Sequence, residues 1–229
     1  MSTPDPIEIE VVTVGGDVGA RAEYDEPRLA TFYFDLGSPF SYLSAERISR
    51  LFSDAEIEQP EWQPVLLGGL FARFDRGSWS QTDMRAAGMA EVERRAAAYG
   101  LMPVRWPDPW PGNSLHAMRV ATYAKSIGRT VSFALAAFRQ AFAGGRDLTD
   151  PDNVAIAAAA CELHPNAIAK AAASDGVKRR LREATDAATA SSACRRLSSA
   201  TRSSGATIAS RRPSQPPRRR ARWAFVVRG

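Results

Sequence analysis

The stretch Ala30-Thr31-Phe32-Tyr33-Phe34-Asp35-Leu36-Gly37-Ser38-Pro39-Phe40-Ser41-Tyr42-Leu43 decides how the chain is read. From Ala30 to Leu36 it is short, aromatic and apolar and is stopped by Gly37, which is the pattern of a buried strand. Ser38 then stands where a helix N-cap belongs, and Pro39 at the first helical position, where a missing N–H costs nothing. Phe40, Leu43, Ile48, Leu51 and Phe52 follow at helical spacing, so a helix is predicted from Pro39 to Phe52. A hydroxyl at such a turn sits where orphan N–H groups and the positive end of the helix dipole converge, a place that stabilises an anion. A thiol with an ordinary pKa of roughly 8.5 could be held there partly as thiolate, Ser38 donating a hydrogen bond to the sulfur.

Working outward, residues 1–28 show no sustained period and read as a polar extension. Trp62 to Leu67 reads as a second strand, ended by Gly68-Gly69. Asp83 to Tyr99 is rich in Ala, Arg, Glu and Met and reads as a helix with Gly100 as its C-cap. Four prolines between Pro103 and Pro111, with Trp106 and Trp110 among them, demand a loop. Asn113–Ile127, Val131–Phe142, Asp152–Leu163 and Asn166–Ala188 are expected as helices, and no internal repeat interrupts them.

With 229 residues and 45% hydrophobic content, the chain is long enough for one good core. No run of eighteen apolar residues appears, and the acidic start (Asp5, Glu8, Glu10) lacks the layout of a signal peptide, so a cytoplasmic protein with no membrane partner is expected. Cys161 and Cys194 do not form a CxxC pair or a zinc set, and His116 and His164 do not repair that, so no metal is expected. The net charge of +5 is unevenly placed: residues 1–186 hold twenty basic against 25 acidic groups, and ten arginines with no acid follow. The basic character belongs to the tail, so the body of the chain gives no reason to expect nucleic acid.

The motif Phe32 to Leu43 resembles the opening of the 2-hydroxychromene-2-carboxylate isomerase family and of the related kappa-class glutathione transferases, both DsbA-like thioredoxin folds with a helical insertion. Pro64 to Leu70 and Asn113 to Arg119 are similar to later stretches of the same families. The redox members carry Cys-x-x-Cys at the turn; here it is Ser38-Pro39-Phe40-Ser41, which removes disulfide chemistry and leaves thiol activation. The resemblance implies an α/β thioredoxin-like fold: a first half at residues 29–69, a helical insertion at 70–165 and a return helix at 166–188. It also implies glutathione as cofactor, an aromatic or chromene carboxylate as substrate, and a homodimer as the assembly left open. By the same resemblance Ser38 is the catalytic residue, and Ser38, Phe40, Arg85 and Asn113 are the glutathione-binding set. Each has a plainer reading: Ser38 and Asn113 as helix caps, Arg85 as a solvated helix charge, Trp106 and Trp110 as a cover over the core rather than the wall of an aromatic pocket.

A thioredoxin-like fold needs two further strands after the insertion, the first preceded by a cis-proline turn facing Ser38. Residues 189–229, rich in Ser, Ala, Arg and Pro, do not supply them. Read one base out of frame, they do. Ala193-Cys194-Arg195-Arg196 written GCG-TGC-CGA-CGG, with one G placed in front, becomes Gly-Val-Pro-Thr. Allowed codons for Leu197 to Ser210 continue it as Ala-Val-Val-Gly-Asp-Ala-Leu-Phe-Trp-Gly-Asp-Asp-Arg-Leu, the ending that family members carry. The tail is therefore read as out of frame from near Ala188, with the C-terminal strands missing. The alternatives are a kappa-like transferase, an inactive truncated product, or a nucleic-acid binder acting through the basic tail.

Overall fold

A computed structural model of the chain describes residues 30–75, 77–190 and 224–225. Strand β1 (Thr31–Phe34) runs into helix α1 (Pro39–Asp54), which crosses over to strand β2 (Glu61–Pro64). The two strands pair in parallel, Thr31 opposite Glu61 and Phe34 opposite Pro64. A crossover helix is what a parallel pair requires, since no tight turn can return a chain to the same direction. Both strands point alternate residues inward: Phe32, Phe34 and Trp62 are buried, with the Phe32 and Trp62 rings edge to face at 4.9 Å.

Helices α2 (Leu67–Arg73), α3 (Arg85–Ala98), α4 (Leu115–Ser126), α5 (Thr130–Phe138), α6 (Pro151–Ala159), α7 (Pro165–Ala173) and α8 (Asp175–Ala190) follow. Short runs join them: a 3-10 turn at Trp79–Gln81 and a π-helical turn at Arg139–Ala143 that continues α5. Helix α4 is central, packing against β2, α5, α7 and α8. Its inward residues Ala117, Met118, Val120, Ala121 and Ala124 are fully buried. Phe133 and Phe138 of α5, with Phe142 just beyond it, complete the aromatic core under α1. Phe138 lies 6.0 Å from Phe34 and Tyr42 5.5 Å from Phe142, ring centre to ring centre. This is the expected α/β thioredoxin-like arrangement with a large helical insertion.

Three local expectations need correction. The second strand stops at Pro64, and Gly68-Gly69, read as its terminator, lie in the first turn of α2. There the small residue at 69 admits the Thr185 methyl of α8, which a Cβ would meet at 3.3 Å. The single helix expected over Asn166–Ala188 is two. Ser174 adopts an extended conformation between them, and its hydroxyl accepts the Val177 N–H at 3.3 Å, starting α8 afresh. Finally, the sheet has a third strand, β3 (Ala224–Phe225), two residues long and parallel to β1 on the edge opposite β2. In the sequence its two residues fall within the apolar run 223–227, which the composition of residues 189–229 as a whole conceals. Helix α8 takes in residues 189 and 190 of that tail; residues 191–223 and 226–229, Cys194 among them, and the polar extension at 1–28 lie outside the described residues.

Candidate active site

The β1–α1 turn is built by local hydrogen bonds. The Ser38 N–H donates to the Asp35 carbonyl at 3.0 Å, and the Tyr42 N–H to the Ser38 carbonyl at 3.1 Å. Ser38 is the N-cap of α1, with φ −95° and ψ 116°, and its Oγ accepts the Ser41 N–H at 3.3 Å. Pro39 has no N–H to satisfy. Of the first N–H groups of α1 this leaves that of Phe40 for a ligand, next to a Ser38 hydroxyl proton free to donate. Ser38 is half-buried, so its oxygen is neither sealed in the core nor fully solvated.

Asp35, at the end of β1, is 5% exposed. Its Oδ1 accepts the Gly37 N–H at 2.8 Å and its Oδ2 the Leu67 N–H at 2.7 Å. Burial pushes its carboxyl above the usual carboxylate range, opposed by these two N–H groups and by the Ser114 hydroxyl. The Leu36 N–H between them donates to the Met118 thioether of α4 at 3.2 Å.

An aromatic wall borders the turn. The Trp110 indole N–H donates to the Gly37 carbonyl at 3.4 Å, and its ring lies 4.5 Å from Trp106 and 5.4 Å from Trp79. Trp79 in turn meets Phe40 edge to face at 6.0 Å. Between this wall and the start of α4 lies a small cleft of about 20 Å³, lined by Leu36, Gly37, Trp110, Asn113, Ser114 and Phe142 among others but not by Ser38 itself, which stands one residue beyond Gly37.

The expected site residues fall as follows. Ser38 stands at the helix start. Phe40 is 8% exposed, its ring taken up by Trp79 and by the Arg95 guanidinium 5.4 Å above it, so its backbone rather than its side chain faces the turn. Arg85 is exposed on α3 but reaches across to the Trp110 carbonyl at 2.5 Å, which brings it to the wall's edge. Asn113 lines the cleft, and its Oδ1 accepts the Leu115 N–H at 3.0 Å from one residue ahead of Ser114, which holds the N-cap position of α4. Trp106 and Trp110 both cover the core, and of the two only Trp110 lines the cleft. Asp35 adds to this set a residue with little local signal in the sequence, an Asp two residues before a glycine at a strand's end.

Cys161, the one cysteine among the described residues, is buried in the core away from the turn. His116 is half-buried, and burial, then the Arg119 charge, hold it below the usual imidazole range. Among the described residues no cluster of His, Cys, Asp and Glu could hold a metal ion, and no helix is long and apolar enough to cross a membrane.

No curated protein matches the chain. Solved structures do. A 2-hydroxychromene-2-carboxylate isomerase aligns with a TM-score of 0.61 and 22% identity over 69% of this chain and 77% of that one. A candidate protein disulfide isomerase from Nitrosomonas europaea aligns at 0.55 and 14% identity over 70% of this chain and 76% of the other. A candidate DsbA oxidoreductase from Streptomyces coelicolor aligns at 0.51 and 21% identity over 68% and 74%. At these identities the likeness is one of fold. Residues 30–193 match the DSBA-like thioredoxin domain, strand, Ser38 turn and helical insertion together, and the chain belongs to that family.

Proposed function

We propose that the chain is built as a glutathione-dependent isomerase of the 2-hydroxychromene-2-carboxylate isomerase type, with Ser38 steadying the glutathione thiolate. The observation that carries this reading is the pair Ser38 and Ser41 at the start of α1, where a redox relative would need two thiols. A hydroxyl cannot form a disulfide, yet it donates to a sulfur anion at the same place.

When bound, glutathione supplies a sulfur that adds reversibly to a conjugated substrate, permits rotation or ring reorganisation, and leaves again with nothing gained or lost. The chain's own residues do the rest. The Ser38 Oγ, its lone pair engaged by the Ser41 N–H, turns its proton toward the anion. The Phe40 N–H and the positive end of the sixteen-residue α1 add to the same field. Arg85, with donors to spare beyond the Trp110 carbonyl, would meet a peptide carboxylate, and Asn113, at the cleft's border, would add a polar contact. Trp106 and Trp110 offer flat apolar surface to an aromatic substrate. A need for reduced glutathione fits a cytoplasmic location.

The out-of-frame tail is part of the same proposal. The family match ends at residue 193, next to the place where a single added base restores Gly-Val-Pro-Thr. The test is glutathione-dependent isomerisation of a 2-hydroxychromene-2-carboxylate by the frame-restored chain and by its Ser38→Ala variant. Loss of the hydroxyl should lower turnover about 10²-fold, the usual effect of removing one donor to a developing anion. Equal turnover would dismiss Ser38, and a stable glutathione conjugate in place of an isomer would assign the chain to the kappa-like transferases.

A further inference from the structure

Asp35 makes a set of contacts that neither the sheet nor the helix start requires. The Asx bond to the Gly37 N–H closes the turn that presents Ser38. The bond to the Leu67 N–H reaches 32 residues along the chain to the first residue of α2. The Ser114 hydroxyl, at the N-cap of α4, is a third donor. All three partners are neutral, and all belong to segments that meet at the Ser38 turn. Among the described residues no Lys, Arg or His pairs with this buried carboxylate. Burying a charge without a counter-ion is costly, and here hydrogen bonds from three separate segments offset it.

The surroundings are shaped to the same end. A Cβ at Gly37 would lie in ordinary contact, 3.4 Å from both Asp35 Oδ1 and the Ser114 Cβ, which shows how closely the turn, the carboxylate and the start of α4 gather. On the other side the Gly37 carbonyl is held by Trp110.

We infer that Asp35 is a positioning residue, whose carboxylate braces the Ser38 turn against the starts of α2 and α4 and so fixes where the Ser38 hydroxyl points. The brace stands on its own geometry; its consequence for a bound thiol rests on the reading of Ser38 given above. A carboxylate is needed because two N–H donors require two acceptors. An asparagine of the same shape offers one oxygen and sets its NH2 against the remaining N–H.

The experiment compares the full chain with Asp35→Asn by amide hydrogen exchange, and adds the ultraviolet thiolate absorbance of glutathione titrated on each protein, with Ser38→Ala as control. In the unaltered chain the Gly37 and Leu67 amides should be as protected as those in the middle of α1. In Asp35→Asn protection should fall about tenfold or more at Gly37 or Leu67 and at Ser41, with α5 and α6 unchanged. The pKa of the bound thiol should rise by about one unit, a tenfold loss of thiolate at a given pH. Unchanged exchange at the turn, or an equal loss of protection throughout the molecule, would overturn the brace. Should Asp35→Asn fail to fold, the unaltered chain decides: open-loop exchange at Gly37 and Leu67 overturns it, and strong protection upholds it. A disturbed turn in Asp35→Asn beside a Ser38→Ala variant with normal bound thiol would uphold the brace and dismiss the glutathione reading instead.

Discussion

Replacing Gly88 with alanine sets two effects of known size against each other. Gly88 lies inside α3, where alanine is favoured by about 1 kcal/mol. Its missing side chain is filled by Trp79: a Cβ would meet Cε3 and Cζ3 of that indole at 2.3 Å and Cδ2 at 2.9 Å. Reaching ordinary contact needs a shift of about 1 Å or more, and Trp79 is wedged between Phe40 and Trp110, at 6.0 and 5.4 Å. Overpacking of this kind costs about 1–3 kcal/mol, and each ring contact that opens loses a further part of about 0.5–1.5 kcal/mol. The net expectation for Gly88→Ala is destabilisation by about 1–2 kcal/mol, or a melting point lower by roughly 3–6 °C in a chain of this size. Calorimetric melting of Gly88→Ala, Trp79→Ala and the double variant forms a cycle. With the indole removed, the same alanine should stabilise by the helix-propensity amount. A Gly88→Ala protein that melts above the parent would refute the packing argument.

Two further expectations concern charge and the tail. Glu91 is held down to about 2 by hydrogen bonds from Arg94 and Arg95. A carboxyl lowered on folding adds stability above its unfolded pKa near 4.5 and loses it as the pH falls through about 2. Glu91→Gln should therefore cost under about 1 kcal/mol at neutral pH, less in high salt, and only a small remainder of that near pH 2, as urea midpoints would show; an equal cost at both pH values counts against the ion pairs. The frame-restored chain should melt about 5–10 °C above the chain as it stands, the effect of a few kcal/mol of added strand burial. An uninterrupted frame on resequencing the gene, or equal melting points, would remove that idea.

What could be read in advance was what is local. Thr31 to Phe52 announces itself because strand, cap, proline and apolar spacing are signals carried by neighbouring residues. Gly100, with φ +67°, caps α3 for a similarly local reason. The glycines at 68 and 69 misled because the same residue type can end a strand or admit a neighbouring helix, and only the position of Thr185 decides between them. Ser174 followed by Asp175 was a usable cap signal hidden in an alanine-rich run. Asp35 was out of reach, since its meaning depends on Leu67 and Ser114, brought to it by folding. Arg85 looked like a solvent-facing charge until the proline-rich loop carried the Trp110 carbonyl to it.

The tryptophans at 79, 106 and 110 have an optical consequence. Indoles 4.5 and 5.4 Å apart share their excited states, so their absorption should split and give circular dichroism in the near ultraviolet. Because one of the three is tethered to the Gly37 carbonyl, that signal comes from the neighbourhood of the β1–α1 turn, and a ligand settling there would announce itself spectroscopically without any attached dye.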